Sequence, residues 1–326
     1  MSTNDAPVRW GIIGTAKING KLLAGAKASG ADVVAVSSRD AAKAKAYAAE
    51  VGVARGHGSY EALLADPGVD AVYISLPNHL HHAWTMKALA AGKHVLCEKP
   101  YTRRPAEVDE AWDVAEAAGL VLQEAFMWRH SPQTQKLLEL LPGIGPLTAI
   151  RATFAFPLQD TANVRLGADL DGGSLMDVGC YTVSASRLIA GEEPDRVHGE
   201  QHVGPTGVDI RFGGLLHFPR DINALIMSAF TTDHQGLEVI GADGSIFVPD
   251  PWHTVGSTIL VRMRGEAEQV VTVPFKYPYG ADLQDMENAI RGLDRPLLGR
   301  EDALGQARTI EALYRSADTG QAVTLG

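Results

Sequence analysis

The sequence predicts an α/β protein in two parts. A doubly wound parallel sheet comes first, and an α+β domain with a large, mostly antiparallel open sheet follows. Three observations predict this. Short apolar strands alternate with helical patterns over residues 8–124. A glycine turn follows the first strand, at Gly14. From residue 148 onward the pattern changes to successive strands separated by turn signals.

Taken in order, residues 8–14 are apolar enough for a strand covered on both faces. Residues 17–28 put Ile18, Leu22, Leu23 and Ala26 at helical spacing. A second strand at 33–37 precedes an Ala- and Lys-rich solvated helix at 41–50. A short helix at 60–65 leads to a strand at 71–76. The helix at 82–91 is closed by Gly92, a residue suited to the left-handed helix end. A strand at 94–97, a helix at 106–118 and a strand at 121–124 complete the first part.

In the second part, strands are expected at 148–156, 196–203, 209–218, 223–232, 237–241, 244–248, 258–264 and 269–273. Pro219-Arg220-Asp221, Ala242-Asp243-Gly244 and Arg264-Gly265 supply turns between them. The sheet reads as antiparallel. One long helix, 173–190, interrupts it, and two more lie near 282–291 and 300–317. The expected domains are 1–125 and 126–326, with a Pro- and Gly-rich stretch at 142–146 and a last helix able to pack back on the first domain.

Composition narrows the class. Hydrophobic residues make up 45% and charged residues 21% of the 326, which fits a globular protein. The net charge, 29 − 39 = −10, argues against nucleic acid or an anionic membrane as partner. Only two cysteines occur, Cys97 and Cys180, so no disulfide framework is expected and a reducing compartment is. No basic leader opens the chain and no apolar run approaches the ~18 residues of a membrane span. A cytoplasmic enzyme is the expectation.

Gly14-Thr15-Ala16-Lys17-Ile18 is a strand-to-helix turn of the Rossmann kind, with Ala16 and Asn19 where glycines are usual. A pyrophosphate on the helix N–H groups suits it. The second strand ends at Ser37, followed by Ser38 and Arg39, where an NAD site usually carries an acid. A hydroxyl and a guanidinium suit a 2′-phosphate, so NADP is favoured over NAD. Leu76 ends the third strand and Pro77, Asn78 and His81 follow it, and all four are expected around the nicotinamide and its ribose. Three nearby histidines lack a Cys or carboxylate at ligand spacing, so no metal is expected.

His94-Val95-Leu96-Cys97 runs into Glu98-Lys99-Pro100. Proline keeps the preceding residue extended, so Lys99 is fixed at the carboxyl end of the sheet, where ligands bind. In the second part, Asp177 and Tyr181 stand four apart and share one helix face.

Together with Pro77-Asn78-x-x-His81 and Ala91-Gly92-Lys93-His94-Val95, these motifs resemble the Gfo/Idh/MocA family of nicotinamide-dependent oxidoreductases over essentially the whole chain. Glu124-Ala125-Phe126-Met127-Trp128-Arg129 and residues 173–181 look most like its branch of NADP-dependent D-xylose and dimeric trans-dihydrodiol dehydrogenases. His130-Ser131-Pro132 departs from that branch, which more often has an aromatic and then His before the proline. The resemblance implies a homodimer or homotetramer formed through the open sheet, and catalytic roles for Lys99, Asp177 and Tyr181. Oxidising an alcohol releases a hydride and a proton. A tyrosine titrates near about 10, and a neighbouring ammonium favours its phenolate. Lys99 is thus expected to lower the pKa of Tyr181, and Asp177 to orient the substrate or Lys99.

Trp128 and Phe156 are expected to offer flat faces to a carbohydrate or cyclic polyol, and Asn163 and Arg165 to read its hydroxyl groups. Glu98 and Arg129 join the expected cofactor contacts. Keto-sugar reduction, dihydrodiol oxidation and a silent NADP-binding sensor are the alternatives.

Overall fold

The computed structural model describes residues 6–253 and 258–325. The amino-terminal residues read for a leader, 1–5, lie outside the described residues. The chain divides into two compact units. One comprises residues up to Met127 with Tyr277–Leu304, the other Trp128–Lys276 with the residues from Gly305 onward.

The first unit alternates β1 (Arg9–Ile13), α1 (Asn19–Ser29), β2 (Asp32–Ser37), α2 (Ala41–Val51), β3 (Arg55–His57) and α3 (Tyr60–Leu64). It continues with β4 (Ala71–Ile74), α4 (His81–Ala90), β5 (His94–Glu98), α5 (Pro105–Ala117) and β6 (Leu122–Ala125). The strands form one parallel sheet in the order β3-β2-β1-β4-β5-β6. Order reverses beside β1, so the carboxyl ends of β1 and β4 flank a crevice of the kind that binds dinucleotides. Trp10, Ile12, Ile13, Tyr73, Ile74, Val95 and Leu96 are all buried, as strands covered on both faces require.

The second unit opens with α6 (Pro132–Leu140) and β7 (Leu147–Ala155). A π-helical turn, Leu175–Gly179, leads into α7 (Cys180–Ala190). Then come β8 (Arg196–Val203), β9 (Asp209–Phe218), β10 (Ile222–Ala229), β11 (His234–Gly241), β12 (Gly244–Val248), β13 (Thr258–Met263) and β14 (Gln269–Thr272). After α8 (Pro278–Ile290), which belongs to the first unit, α9 (Arg300–Thr319) and β15 (Val323–Thr324) end the chain. The nine strands order as β14-β13-β12-β11-β7-β10-β9-β8-β15.

The sheet is mostly antiparallel, as expected, with one parallel pair, β7 with β10. The chain between them runs through α7 and the β8–β9 pair, a crossover that brings β10 back alongside β7 in the same direction. One expectation needs correction. The helix expected from 173 begins instead as a π turn, for reasons given below. Three elements were not anticipated: β3, α6 and β15. Of these α6 carried a signal, since Ser131 caps it (Thr134 N–H to Oγ, 3.1 Å) and Pro132 holds its first position.

Within the first unit, α8 returns to the sheet by polar ties. Trp10 Nε1 donates to Glu287 Oε1 at 3.1 Å, and Gln123 Nε2 to Asp282 Oδ1 at 2.9 Å. Arg300, in the first turn of α9, pairs with Asp109 and Asp113 on α5 at 2.8 and 2.7 Å. On the second unit's sheet, Leu215 and Leu225 stand opposite each other on β9 and β10, with Met227 beside them, and all three are exposed. Among the described residues, no helix is long and apolar enough to cross a membrane.

One buried clamp sets the strand ends. His81, at the start of α4, is 1% exposed. Its Nε2 lies 2.8 Å from the Leu76 carbonyl after β4, and its Nδ1 2.9 Å from the Pro100 carbonyl after β5. A neutral imidazole donates to one of these. Burial pushes its pKa down to about 4, although the two carbonyls pull upward. An unfolded His titrates near 6.5, so between 6.5 and about 4 the unfolded chain binds a proton that the folded chain refuses. The stability His81 lends is therefore complete above 6.5 and is lost as pH falls toward about 4. In urea unfolding, the difference between wild type and His81→Gln should be about 2 kcal/mol smaller near pH ~5 than near pH ~7.5. A difference that does not change with pH would contradict this placement of the ring.

Candidate functional site

The first unit gathers its features at the carboxyl ends of β1, β2, β4 and β5. After β1, Gly14 adopts φ +106°, a conformation that other residues adopt only under strain. A Cβ there would also come within 3.1 Å of Leu76 Cδ2. Thr15 and Ala16 are half-buried and Lys17 is exposed. The turn closes by Asn19 N–H to the Ala16 carbonyl (3.1 Å) and Gly20 N–H to the Lys17 carbonyl (3.2 Å). That takes up two residues in which the helix was expected to have begun.

Ile18 gives α1 no side-chain cap, and no acid lies in its first turn. An uncapped helix start without negative charge favours an anion. Asn19 replaces the third glycine and is fully buried, its Nδ2 donating to the Gly14 carbonyl at 3.1 Å. The turn is thus tied to its own helix by a side chain, where a glycine would rely on close packing alone. These residues fit a dinucleotide pyrophosphate.

At the end of β2, Ser38 is 5% exposed and its Oγ accepts the Asp40 N–H at 3.3 Å. Asp40 in turn caps α2 through Lys43 N–H at 2.6 Å. The acid nearest the position that reads a ribose diol is therefore occupied as a helix cap. Arg39 stands exposed between the two.

After β4, Pro77 precedes a single helical turn starting at Asn78. His81 was expected beside the cofactor, but both ring nitrogens face backbone carbonyls, as described above. It braces the strand ends because both of its polar atoms are taken up there.

Lys99 follows β5, and its peptide bond to Pro100 is cis. The backbone beyond it is held twice, by His81 at the Pro100 carbonyl and by Glu124 Oε1, which accepts the Tyr101 N–H at 2.8 Å. Glu98 accepts from the Tyr73 hydroxyl and from the Lys99 N–H at 3.2 Å. Burial raises the Glu98 pKa, while the Lys99 charge and the Tyr73 hydrogen bond pull it back. Lys99 itself is half-buried.

The second unit brings Phe156, Asn163, Arg165 and Asp177 into one group. Arg165 Nε pairs with Asp177 Oδ2 at 2.6 Å, and its Nη1 reaches Asn163 Oδ1 at 3.4 Å. Its guanidinium lies 6.0 Å from the centre of the Phe156 ring. The arrangement places donors and a carboxylate side by side over an aromatic face, which suits hydroxyl groups on an apolar ring.

Tyr181, 8% exposed, joins an aromatic cluster that the sequence did not reveal. Its ring meets Phe154 edge-on at 5.4 Å and Trp252 at 6.0 Å. Trp252 is anchored by Nε1 to the Thr153 carbonyl at 2.8 Å. Phe154 and Phe156 were two apart on one strand face, and that spacing was the available signal; Trp252 had none. Trp128 needs correction. It is 1% exposed with its indole against Trp252 at 5.7 Å, so it offers no open face to a ligand and instead backs the Tyr181 wall. Arg129 donates to Ser184 Oγ at 3.4 Å, on α7 one turn beyond Tyr181. Among the described residues, no group of three His, Cys, Asp or Glu is placed to hold a metal.

Comparison with known proteins identifies the family. Residues 8–126 match the Gfo/Idh/MocA oxidoreductase family with NAD-binding Rossmann fold, and residues 142–247 match the Gfo/Idh/MocA C-terminal domain. The chain is 40% identical over 324 residues to D-xylose 1-dehydrogenase (NADP(+)) 2 of Haloferax volcanii, covering 97% of this chain and 99% of that one. It superposes on aldose-aldose oxidoreductase from Caulobacter crescentus complexed with glycerol with a TM-score of 0.90 at 27% identity, covering 98% and 100% of the two chains. For KijD10, a 3-ketoreductase from Actinomadura kijaniata in complex with NADP and TDP-benzene, the score is 0.89 at 28% identity, covering 95% and 98%. The chain belongs to the Gfo/Idh/MocA family of oxidoreductases.

Proposed function

We propose that the protein is an NADP-dependent dehydrogenase or reductase acting on a secondary alcohol or hemiacetal carbon of a sugar or related polyol. The observation that carries this reading is Lys99, an ammonium at a strand end whose backbone is held on both sides by buried side chains. A cation fixed in this way suits a developing alkoxide.

The residues at 14–18 would hold the pyrophosphate, with Leu76, Pro77 and Asn78 along the nicotinamide side and Glu98 beneath Lys99. Arg39 would take the 2′-phosphate, because Asp40 is engaged as a helix cap and Ser38 is engaged with Asp40. When bound, the nicotinamide supplies the acceptor or donor of hydride. Lys99 and Tyr181 handle the proton at the substrate oxygen, the phenolate of Tyr181 accepting it in oxidation and the phenol returning it in reduction. Asp177, aligned by Arg165 and Asn163, orients the substrate hydroxyls. Arg129 acts on α7 through Ser184.

The D-xylose and aldose activities of the relatives support a sugar substrate, and the NADP named for two of them supports the cofactor. Keto-sugar reduction is the same chemistry reversed, and KijD10 favours it as the second reading. The exposed Leu215, Leu225 and Met227 support self-association through the open sheet.

Turnover is measured across aldoses, inositol and a cyclic dihydrodiol, and across ketoses in reverse, with NADP and with NAD. The expected outcome is activity on an aldose with NADP preferred. Arg39→Ala should weaken NADP about 10-fold or more while leaving NAD nearly unchanged, as loss of a charged phosphate contact requires. No turnover of any compound, or equal losses for both cofactors, would overturn the respective claim. Light scattering should give a multiple of the 34.7 kDa chain mass, and Leu225→Glu should return it to one. A wild type with the mass of a single chain would contradict the pairing.

A further inference from the structure

Asp209 opens β9, 34 residues beyond the turn it serves, and is 2% exposed. Its Oδ2 accepts from the Leu175 backbone N–H and from Ser174 Oγ, both at 2.8 Å. Its Oδ1 accepts from the Tyr314 hydroxyl, on α9, at 2.8 Å. Ser174 Oγ also lies 3.0 Å from Ser228 Oγ on β10. Three donors from two parts of the second unit, the start of the π turn and α9, therefore converge on one buried carboxylate. Burial pushes its pKa up, and the three hydrogen bonds hold the charged form against that.

The anchored backbone is the start of the π turn Leu175–Gly179. Such turns insert one extra residue into a helix, are rare, and occur frequently at functional sites. If this turn relaxed to an α-helix, residues before the insertion would rotate by about 100° relative to those after it. Asp177 lies within the turn and Tyr181 lies after it. The residue preceding Ser174 also answers to Asp209. Gly173 has φ +119°, and the space a Cβ would need there is filled by Asp209 Oδ1. Gly173 O then accepts the Asp177 N–H at 3.0 Å. At the other end, Gln306 Nε2, also on α9, donates to the Cys180 carbonyl at 2.8 Å.

We propose that Asp209 is a positioning residue that holds the π turn and so fixes the angular register of Asp177 against Tyr181. This rests on the reading of those two residues as the substrate-facing groups. Asp209 touches neither substrate nor cofactor. It acts through Leu175 and Ser174, with Tyr314 steadying its second oxygen.

The test compares the full-length wild type with Asp209→Asn, which removes the charge and replaces one acceptor oxygen by a donor NH2, and Tyr314→Phe, which removes one bond. Hydrogen–deuterium exchange should rise at least about 10-fold at residues 174–181 in Asp209→Asn and about 3-fold in Tyr314→Phe, with the β7–β10 amides unchanged. On the substrate found active, kcat should fall about 10- to 100-fold in Asp209→Asn, with KM and the NADPH dissociation constant within about twofold. Exchange at 174–181 equal to wild type in both variants would overturn the proposal, as would raised exchange with kcat unchanged. Exchange that rises equally over the whole second unit would also overturn it, showing a core role only. An Asp177→Asn control separates the two failures. If that variant keeps full activity, the reading of the site falls; if it is inactive while Asp209→Asn is not, only the positioning claim falls.

Discussion

The carbonyl of Pro100 and the amide of Tyr101 are each held by a buried side chain, and these two bonds fix where Lys99 stands. His81 reaches from α4 and Glu124 from β6, so the segment after β5 is tied to elements on both of its sides. A net hydrogen bond is worth only about 1 kcal/mol, but losing one partner of a buried pair costs about 1–3 kcal/mol. The constraint is therefore stronger than its bonds, because any displacement of the segment orphans buried groups. Lys99 gains a defined position without being buried itself. Glu98, turned toward Tyr73, keeps a carboxyl group beneath it.

The second unit solves the same problem by other means. A helix start cannot be tied by a strand ladder, so the π turn is held by one carboxylate from β9. An aromatic wall of Phe154, Trp252 and Trp128 fixes the Tyr181 ring, and the Arg165 pair fixes the Asp177 carboxylate. The Arg165–Asp177 pair is partly exposed, so it contributes little to stability. Its value is in presenting donors and acceptors in a set order. Lys99 and Asp177 stay partly open, while the side chains that hold the backbone beside them, His81, Glu124 and Asp209, are buried.

What the sequence made legible follows from range. Alternation, caps and turns act over a few residues, so the strand bounds at β8, β9 and β12 could be read directly, as could the glycine turn at Gly14. The Ser131-Pro132 start of α6 is a local signal of the same kind. The residues around the site were harder. Asp209 meets Leu175 across 34 positions and Trp252 meets Thr153 across 99, and no local pattern signals such contacts. His81 and Trp128 are legible as residues of the site region, but what their side chains touch is not. Both carry chemistry that suits a ligand, and burial decided that it would be spent on the protein's own backbone and core. The mostly antiparallel character of the second sheet is legible in its turn signals, whereas the one parallel pair, β7 with β10, is set by the crossover between the strands and not by their composition.

The central claim is that Lys99 and Tyr181 handle the proton of an alcohol oxidation. The most direct measurement is the pH dependence of kcat/KM with an active sugar and NADP, in wild type and Tyr181→Phe. The account predicts that the wild-type rate rises with pH through one ionisation. In Tyr181→Phe that ionisation should vanish and the rate fall by about 10²–10⁴. The same ionisation and a near-normal rate in Tyr181→Phe would contradict it.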